Sequence, residues 1–470
     1  MRVPSADARP SVLTVAGSDS GGGAGIQADL KTIEAHGAFG TSVVTSVTAQ
    51  NTRGVASVHP VPTASVAAQY DAVVSDFDVR AAKTGMLGTA ETVETVTRLI
   101  EDASFPVVVD PVMVATSGDR LLDRDAERAY EDLVAAATVV TPNADEAAAL
   151  TGVEPTDEDS AREAGARLVE MGADAALVTG GHVPGEEVVD RLVTREGETA
   201  FAHPRVDTGA THGSGCALSS AVAANLARGG GLDAVAEEPS AGRRPSLVDA
   251  VAASVSFLER AVRYPLDVGE GPGAVHHLVE VRNRAARGDV VEAVEGVVDE
   301  LVAAGARELV SDAGLDVVGA TPYAERPDEL ASVEVGVART RSGVRPNRDA
   351  RAGSSARLGR VLLAAREADP SLRFAANCRF DGDAEAALDS LGWPVARAAS
   401  TGDDRWAEVL RPSVGTASPR VRTEPNWTET PRAVVEKGTD GREPLAYVLA
   451  PDAETLAGRL TSLAAALSER

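Results

Sequence analysis

Lysine is almost absent from this chain: of 45 basic residues only Lys31, Lys83 and Lys437 are lysines, and 71 acidic residues bring the formal net charge to −26. No basic face or arginine-rich helix is present to neutralise phosphates, so nucleic acid is not an expected partner. An acidic, lysine-poor surface suits molar salt, where the Debye length falls to about 3 Å and self-repulsion is screened. The composition therefore reads as halophilic. Cysteine is scarce too. Cys216 and Cys378 lie far apart, without CxxC or Cys/His ligand spacing, which argues against a disulfide framework or a zinc site and for a reducing compartment. No run of 18 apolar residues occurs, and the opening MRVPSADARPS lacks the apolar core of a signal peptide. The expectation is a soluble, cytoplasmic protein with no membrane partner.

What is present is ample material for packed cores: 470 residues with 44% hydrophobic content predict two or three domains. From Ser11 to about Tyr264, short β-branched runs alternate with amphipathic stretches, the pattern of a parallel sheet covered by helices. SVLTVA (11–16), TSVVTSVTA (41–49), FPVVVD (105–110), ATVVTPN (137–143) and AALVTGG (175–181) read as strands. Each is followed by polar or glycine-bearing residues, where ligands gather in open α/β sheets. RLVTREGETAFAH (191–203) reads as a hairpin turning near Glu196-Gly197, and AEEPSAGRRPS (236–246) as a surface insertion. Glycine and proline in VGEGPGAVHH (268–277) mark a boundary, giving domains of 1–277 and 285–470, with a long amphipathic stretch from about Leu278 to Ala304. In the second domain LRFAANCRF (372–380) and AVVEKG (433–438) read as strands, SSARLGRVLLAARE (354–367) and AETLAGRLTSLAAAL (453–467) as helices, and 411–431 as a long, partly ordered loop.

The chemistry concentrates in DTGATHGSGC (207–216), which runs straight into the apolar ALSSAVAANLA. Glycines 209, 213 and 215 sit where a loop becomes a helix, so their amides can converge on an anion while the helix dipole favours negative charge. That geometry suits a transferring phosphoryl group. Cys216 falls in the first turn, where the same field is expected to lower a thiol pKa and make it a proton acceptor for a substrate hydroxyl. A glycine-rich turn with one small buried cysteine is the plain structural alternative. A second glycine segment, AGSDSGGGAGIQADLKT (16–32), follows the first strand, and no GK[ST] completes a Walker A loop there.

Taken in order, these segments together with AQNTRGV (49–55), KTGML (83–87), DPVMVATSGDRLL (110–122), TPNADEAAALTG (141–152), Gly180-Gly181-His182 and GEGPGAVHH (269–277) resemble the hydroxymethylpyrimidine/phosphomethylpyrimidine kinases of thiamine biosynthesis, in the ribokinase superfamily. The resemblance implies an α/β protein: a ribokinase-like three-layer α/β/α kinase domain plus a second, smaller α/β domain. It implies phosphorylation of 4-amino-5-hydroxymethyl-2-methylpyrimidine to its monophosphate and then its diphosphate, with ATP and Mg2+, small molecules as partners and a homo-oligomer as the assembly. Gln50 would pair with the ring nitrogen and exocyclic amine, Asp29 would be a second polar contact, Gly17 would belong to the substrate loop, and Met86 and Val112 would sandwich the ring. Asp110 and Glu146 would position magnesium directly or through water, as hard oxygen ligands. Asn143, Thr179 and Thr208 would line the nucleotide phosphate region. Gly213, Ser214, Gly215 and Cys216 would form the anion hole, with Cys216 as the base for the alcohol. Thr179 stands where the family often has lysine before Gly-Gly-His, so a positive charge is missing there. Lys83 reads equally as a buried ion pair or a catalytic group, and His182 and His212 as loop packing. A pyridoxal kinase shares the fold and sometimes the substrate; AQNTRGV and KTGML favour the aminopyrimidine.

From about 285 onward the chain more loosely resembles the archaeal-type thiamine-phosphate synthase domain, through SSARLGRVLL (354–363), FAANCRF (374–380) and EKGTDGREPLAYVLAPD (436–452). That enzyme joins the pyrimidine diphosphate to a thiazole phosphate and releases pyrophosphate. Active members use a histidine directly after the paired serines and an arginine upstream. Here Ala356 follows Ser354 and Ser355, Gly336 takes the arginine's place, and no histidine occurs after His277. The expectation is a domain that keeps a thiamine-phosphate-like ligand without efficient synthesis; an active synthase and a non-catalytic sensor are the alternatives.

Overall fold

The computed structural model describes residues 9–113, 126–229, 246–353, 357–398, 431–438 and 443–470. The expected insertion at 236–246 and loop at 411–431 lie outside the described residues apart from Ser246 and Pro431, as do Ser354, Ser355 and Ala356. The chain divides into two compact units, Met1–Glu280 and Val281–Arg470.

In the first unit β1 (Ser11–Asp19), β2 (Phe39–Asn51), β3 (Gly54–Pro60), β4 (Val79–Thr84), β5 (Val107–Val109), β6 (Val139–Val140), β7 (Ala175–Val178), β8 (Glu187–Thr194) and β9 (Gly197–Pro204) form one sheet in the order β3-β2-β1-β4-β5-β6-β7-β8-β9. β1, β2 and β4 to β7 run parallel, with antiparallel β3 at one edge and the β8–β9 hairpin at the other. The hairpin turns between Thr194 and Gly197, where the sequence places it. Alternation of side chains along the strands builds the layers. Leu13, Val15, Ala82, Val107, Val109, Val140 and Ala176 face α2 (Thr63–Val74), α3 (Ala90–Ile100), α4 (Ala126–Ala135) and α6 (Glu158–Glu170). Val12, Ala81, Val108, Val139, Ala175 and Leu177 face α1 (Gly25–Ala35), α7 (Ser214–Ala227) and α8 (Leu247–Arg263). The result is a three-layer α/β/α sandwich. Every residue of α7 from Ala217 to Leu226 is buried, so this helix is a core element, with its Ser219, Ser220 and Asn225 hydrogen-bonded inside the protein. The short α5 (Ala144–Thr151) begins in a capping box between Asn143 and Glu146.

The amphipathic stretch at 278–304 is two helices, α9 (Val279–Ala285) and α10 (Arg287–Ala304). The sheet of the second unit has the order β14-β11-β10-β15-β18-β17-β16, from β10 (Val317–Ala320), β11 (Leu330–Val333), β14 (Ala350–Ala352), β15 (Phe374–Arg379), β16 (Val395–Ala398), β17 (Ala433–Glu436) and β18 (Leu445–Ala450). It is antiparallel except for β16–β17. A separate hairpin joins β12 (Val337–Arg339) to β13 (Val344–Pro346). α10, α12 (Gly382–Ser390) and α13 (Ala453–Ser468) cover one face and α11 (Arg357–Ala368) the other. No described helix is long and apolar enough to cross a membrane.

Candidate active site

A cavity of about 740 Å³ lies in the first unit among residues from the carboxyl ends of its strands, the usual ligand position in an open parallel sheet. Gly17, Asp19 and Gln50 line it from β1 and β2; Lys83, Met86, Asp110, Val112, Thr141, Asn143 and Glu146 from β4 to α5; and Thr179, Asp190 and His203 from β7 to β9. Gly213, Ser214, Gly215 and Cys216 enter it from the start of α7. The cavity thus collects every residue the sequence assigns to a site except Asp29 and Thr208.

Both exceptions are corrections. Asp29 is fully buried on α1: its Oδ1 accepts from Lys83 Nζ at 2.9 Å and Ser220 Oγ at 2.8 Å, and its Oδ2 from Thr14 Oγ1 at 2.6 Å. It is the partner of Lys83, neither an exposed aspartate nor a substrate contact, because its acceptor directions are taken inside the protein. Thr208 lies outside the lining, and its hydroxyl accepts from the Ala210 amide at 3.1 Å, a local turn that precedes the anion loop. Lys83, also fully buried, sits 3.8 Å from Asp110 Oδ2. Burial disfavours its charge, yet Asp29, Cys216 and Asp110 together hold its pKa above the ordinary lysine range. It is an ion-paired cation that also forms part of the cavity wall.

The two glycine segments meet. Gly213 caps α7 at φ +82°, and a Cβ there would lie 1.9 Å from the Gly23 carbonyl oxygen, so only glycine fits. The expected anion hole is narrower than the sequence implies, because the Ser214 amide donates to Thr211 O at 3.1 Å. The amides of Gly215 and Cys216, in the first turn, have no carbonyl one turn back within the helix. The first segment holds no anion cradle at all: Asp19 Oδ1 accepts from the Gly21 amide at 2.7 Å, and Oδ2 from Gly23 and Ala24 at 3.0 and 2.8 Å.

Cys216 corrects the electrostatic expectation. Its thiol is pushed up to about 12, first by burial, then by the Asp29 and Asp110 charges, against the pull of Lys83 and the Gly25 amide. The helix terminus favours thiolate, but two nearby carboxylates and the loss of solvent outweigh it. Asp110 is itself raised, chiefly by burial, with Lys83 opposing; Ser219 Oγ donates to its Oδ2 at 3.1 Å. Glu146 is pushed up to about 8 by burial and by Asp110, while the Asn143 and Met113 amides oppose. Two hard carboxylates that repel each other in a buried pocket are a donor set that a divalent cation completes. Among the described residues no group of three or more His, Cys, Asp or Glu is placed to hold a metal ion.

Sequence reasoning missed Asp19, whose signal was its place at the end of β1. It also missed Arg205, which lines the cavity and donates to the carbonyls of Gly185 and Gly181, both at 2.8 Å, and of Val183. This guanidinium braces the 181–185 loop just after Thr179, the position without the family's lysine.

A three-layer α/β/α unit with a glycine-capped buried helix above paired carboxylates defines the class, a ribokinase-like small-molecule kinase. Residues 19–276 match the Phosphomethylpyrimidine kinase family and residues 293–462 the Thiamine-phosphate synthase ThiN family. The chain is 47% identical over 269 residues to the hydroxymethylpyrimidine/phosphomethylpyrimidine kinase of Streptomyces coelicolor, across 57% of this chain and 94% of that protein. It is 46% identical over 281 residues to the thiamine biosynthesis bifunctional protein ThiED of Geobacter sulfurreducens, across 59% of this chain but only 54% of that protein. A pyridoxal kinase of Bacillus subtilis, solved as an ADP complex, is 32% identical with a TM-score of 0.52, across 58% of this chain and 99% of that one. The pyridoxal kinase of Staphylococcus aureus, solved with AMP-PCP and pyridoxal, is 28% identical with a TM-score of 0.52, across 58% of this chain and 96% of that one. The chain belongs to the phosphomethylpyrimidine kinase family, and it is a kinase with a ThiN-type region behind it.

Proposed function

We propose that the first unit transfers the γ-phosphoryl group of ATP to hydroxymethylpyrimidine and then to the monophosphate so formed, with Mg2+ held directly or through water by Asp110 and Glu146. The observation that carries this reading is the meeting, in one cavity, of Gln50, Met86 and Val112 with Asp110, Glu146 and the first turn of α7. A divalent cation there supplies positive charge to the transferring phosphoryl oxygens and compensates the two carboxylates. Lys83 is the strongest charge favouring the Cys216 thiolate, and Asp29 and Asp110 oppose it. The first acceptor is an alcohol that must lose a proton, a task for Cys216 Sγ; the second is a phosphate already ionised at neutral pH. Gln50 presents both a donor and an acceptor to the aminopyrimidine edge, and the Gly215 and Cys216 amides face the developing phosphoryl charge. Incubation with ATP, Mg2+ and hydroxymethylpyrimidine should yield monophosphate and then diphosphate; folded protein that makes neither overturns the reading. Pyridoxal is the competing substrate, favoured by the solved structures this unit is similar to, and belongs in the same assay.

For the second unit we infer ligand binding without efficient synthesis. Gly336 stands at φ +69°, and a Cβ there would lie 2.4 Å from Asp316 Oδ1, so the arginine that active synthases carry would strain this backbone and displace the Asp316 carboxylate. Full-length protein given pyrimidine diphosphate and thiazole phosphate should bind a thiamine-type phosphate and form thiamine phosphate poorly; rapid multiple turnover would restore the synthase. Homo-oligomerisation and a cytoplasmic location complete the proposal, and sedimentation tests the former.

A further inference from the structure

The carboxylate of Asp19 lines the cavity and is held there by four donors. Besides the amides of Gly21, Gly23 and Ala24, its Oδ2 faces His212 Nε2 at 3.3 Å. Asp19 is 3% exposed. Burial raises its pKa, but the His212 contact and the Ala24 and Gly21 amides outweigh that and hold it below the ordinary carboxylate value.

The contacts continue on both sides. Ser20, the next residue, donates its hydroxyl to Gln50 O at 2.6 Å and accepts from Gln50 N at 2.8 Å, so the loop that Asp19 organises is tied to the strand end carrying Gln50. His212 precedes Gly213, the cap of α7, and the Gly213 position packs on the Gly23 carbonyl. A Cβ on Gly23 would lie 2.5 Å from His212 Cδ2. One continuous set of contacts therefore runs from Gln50 through Ser20 and Asp19 to His212 and the first turn of α7. The two ends of that set are the parts of the cavity assigned above to the pyrimidine and to the phosphates.

We propose that Asp19 and His212 are a positioning pair that joins the substrate loop to the phosphate loop, so that filling either half of the cavity strengthens binding in the other. The inference rests on the kinase reading. Linkage makes the effect reciprocal, and a coupling of the usual size is about fivefold or more in affinity. Neither residue need touch a reacting atom. A chain of fixed contacts between loops transmits order because a ligand that immobilises one loop removes part of the cost of ordering the other.

The test is calorimetric titration of full-length protein with a non-hydrolysable ATP analogue and Mg2+, without and with saturating hydroxymethylpyrimidine. Wild type should bind the nucleotide about fivefold or more tightly when the pyrimidine is present. His212→Leu should bring that ratio close to one, and His212→Gln, which keeps an N–H donor of similar reach, should restore most of it. His212→Asn, too short to reach Asp19, serves if the leucine variant does not fold, and should also abolish the ratio. A wild-type ratio of one, or a His212→Leu or His212→Asn variant that melts earlier but keeps the full ratio, overturns the pairing role and leaves the kinase intact. Failure of wild type to bind either ligand overturns the kinase reading itself, and the pair's role with it.

Discussion

Beside the cavity of the first unit buried charges face one another, whereas a buried arginine of the second unit is bound to main chain. In the first, Lys83, Asp29, Asp110 and Glu146 are all less than a tenth exposed; Lys83 lies against Asp29 and Asp110, and Lys83, Asp110 and Glu146 line the cavity. In the second, the buried Arg366 donates to the carbonyls of Ala324, Pro370, Leu372 and Pro322, and Asn377 bonds the Asp316 amide and Gly314 O. A charge bound to main-chain carbonyls is locked into architecture. Charges set against each other beside a cavity keep perturbed proton affinities, the usual mark of a reaction site.

The largest effect expected from breaking this contrast is at Lys83. Lys83→Met leaves Asp29 charged and buried without its cation and should cost about 3–5 kcal/mol by denaturant unfolding. The double variant Lys83→Met/Asp29→Asn should recover much of that loss, since two neutral groups replace an orphaned charge. A double variant as unstable as the single one would mean that shape, not charge, is what the site requires.

The two cysteines sharpen the comparison further, because both thiols are pushed up to about 12 but for different reasons. Cys378 is raised by burial alone, in the apolar core of its unit. Cys216 is raised first by burial and then by Asp29 and Asp110, of which Asp110 lines the cavity. Cys216→Ala should slow phosphorylation of the alcohol by about 10²-fold or more, the usual size of a lost proton acceptor, and slow the second phosphorylation less. Cys378→Ala should leave both rates unchanged. Equal losses in both steps for Cys216→Ala would shift its role to the geometry of the anion hole.

Much of this site was legible in the sequence because glycines and hard carboxylates at strand ends carry their reason with them. The strands β1, β2 and β5 to β7 were visible as β-branched runs, and the β8–β9 hairpin through Glu196-Gly197. β4 was hidden because VRAAKT mixes two charges into a buried strand, and the buried lysine makes sense only once Asp29 arrives from α1, 54 positions away in sequence. β3, whose residues are mostly exposed or half-buried, lacks the apolar signal of a central strand. The fate of Asp29, the raised Cys216 and the use of the first glycine loop by Asp19 all depend on distances between separate elements, which spacing along one segment does not encode.

Acid sharpens the contrast again, since every histidine lies at or before His277 and hence in the first unit. His277 is 2% exposed, its Nε2 has no hydrogen-bond partner, and its pKa is pulled down to about 4 by burial and by Lys31, His276 and His212. Between its unfolded value of about 6.5 and its folded value the unfolded state holds the extra proton, so stability is full above that window and is lost as pH falls through it. The loss approaches about 3 kcal/mol at most. His203 works in the other direction, raised by its contact with Asp190, so the variant His277→Gln is needed to isolate the effect. The melting transition of the first unit should fall on acidification and the fall should flatten in that variant; an unchanged acid slope would assign it to carboxylates instead.

The smallest effect belongs to the second unit and concerns backbone rather than charge. Val335 stands at φ +65° with 75% of its surface exposed, a left-handed conformation that costs an ordinary residue roughly 1–2 kcal/mol and is especially unfavourable for a β-branched one. So exposed a side chain returns little by burial, and the local hydrogen bond, from Asn347 Nδ2 to Val335 O at 2.9 Å, uses only the main chain. Val335→Asn keeps that bond and places there a residue that adopts the left-handed region readily, so it should stabilise by about 1 kcal/mol. For a unit of this size that is a rise of about 2–4 °C in its melting transition. The transition of the first unit, followed in the same calorimetric scan and shifted separately by hydroxymethylpyrimidine, should not move. A Val335→Asn variant that melts earlier would show that the valine side chain makes a contact worth more than the strain it imposes.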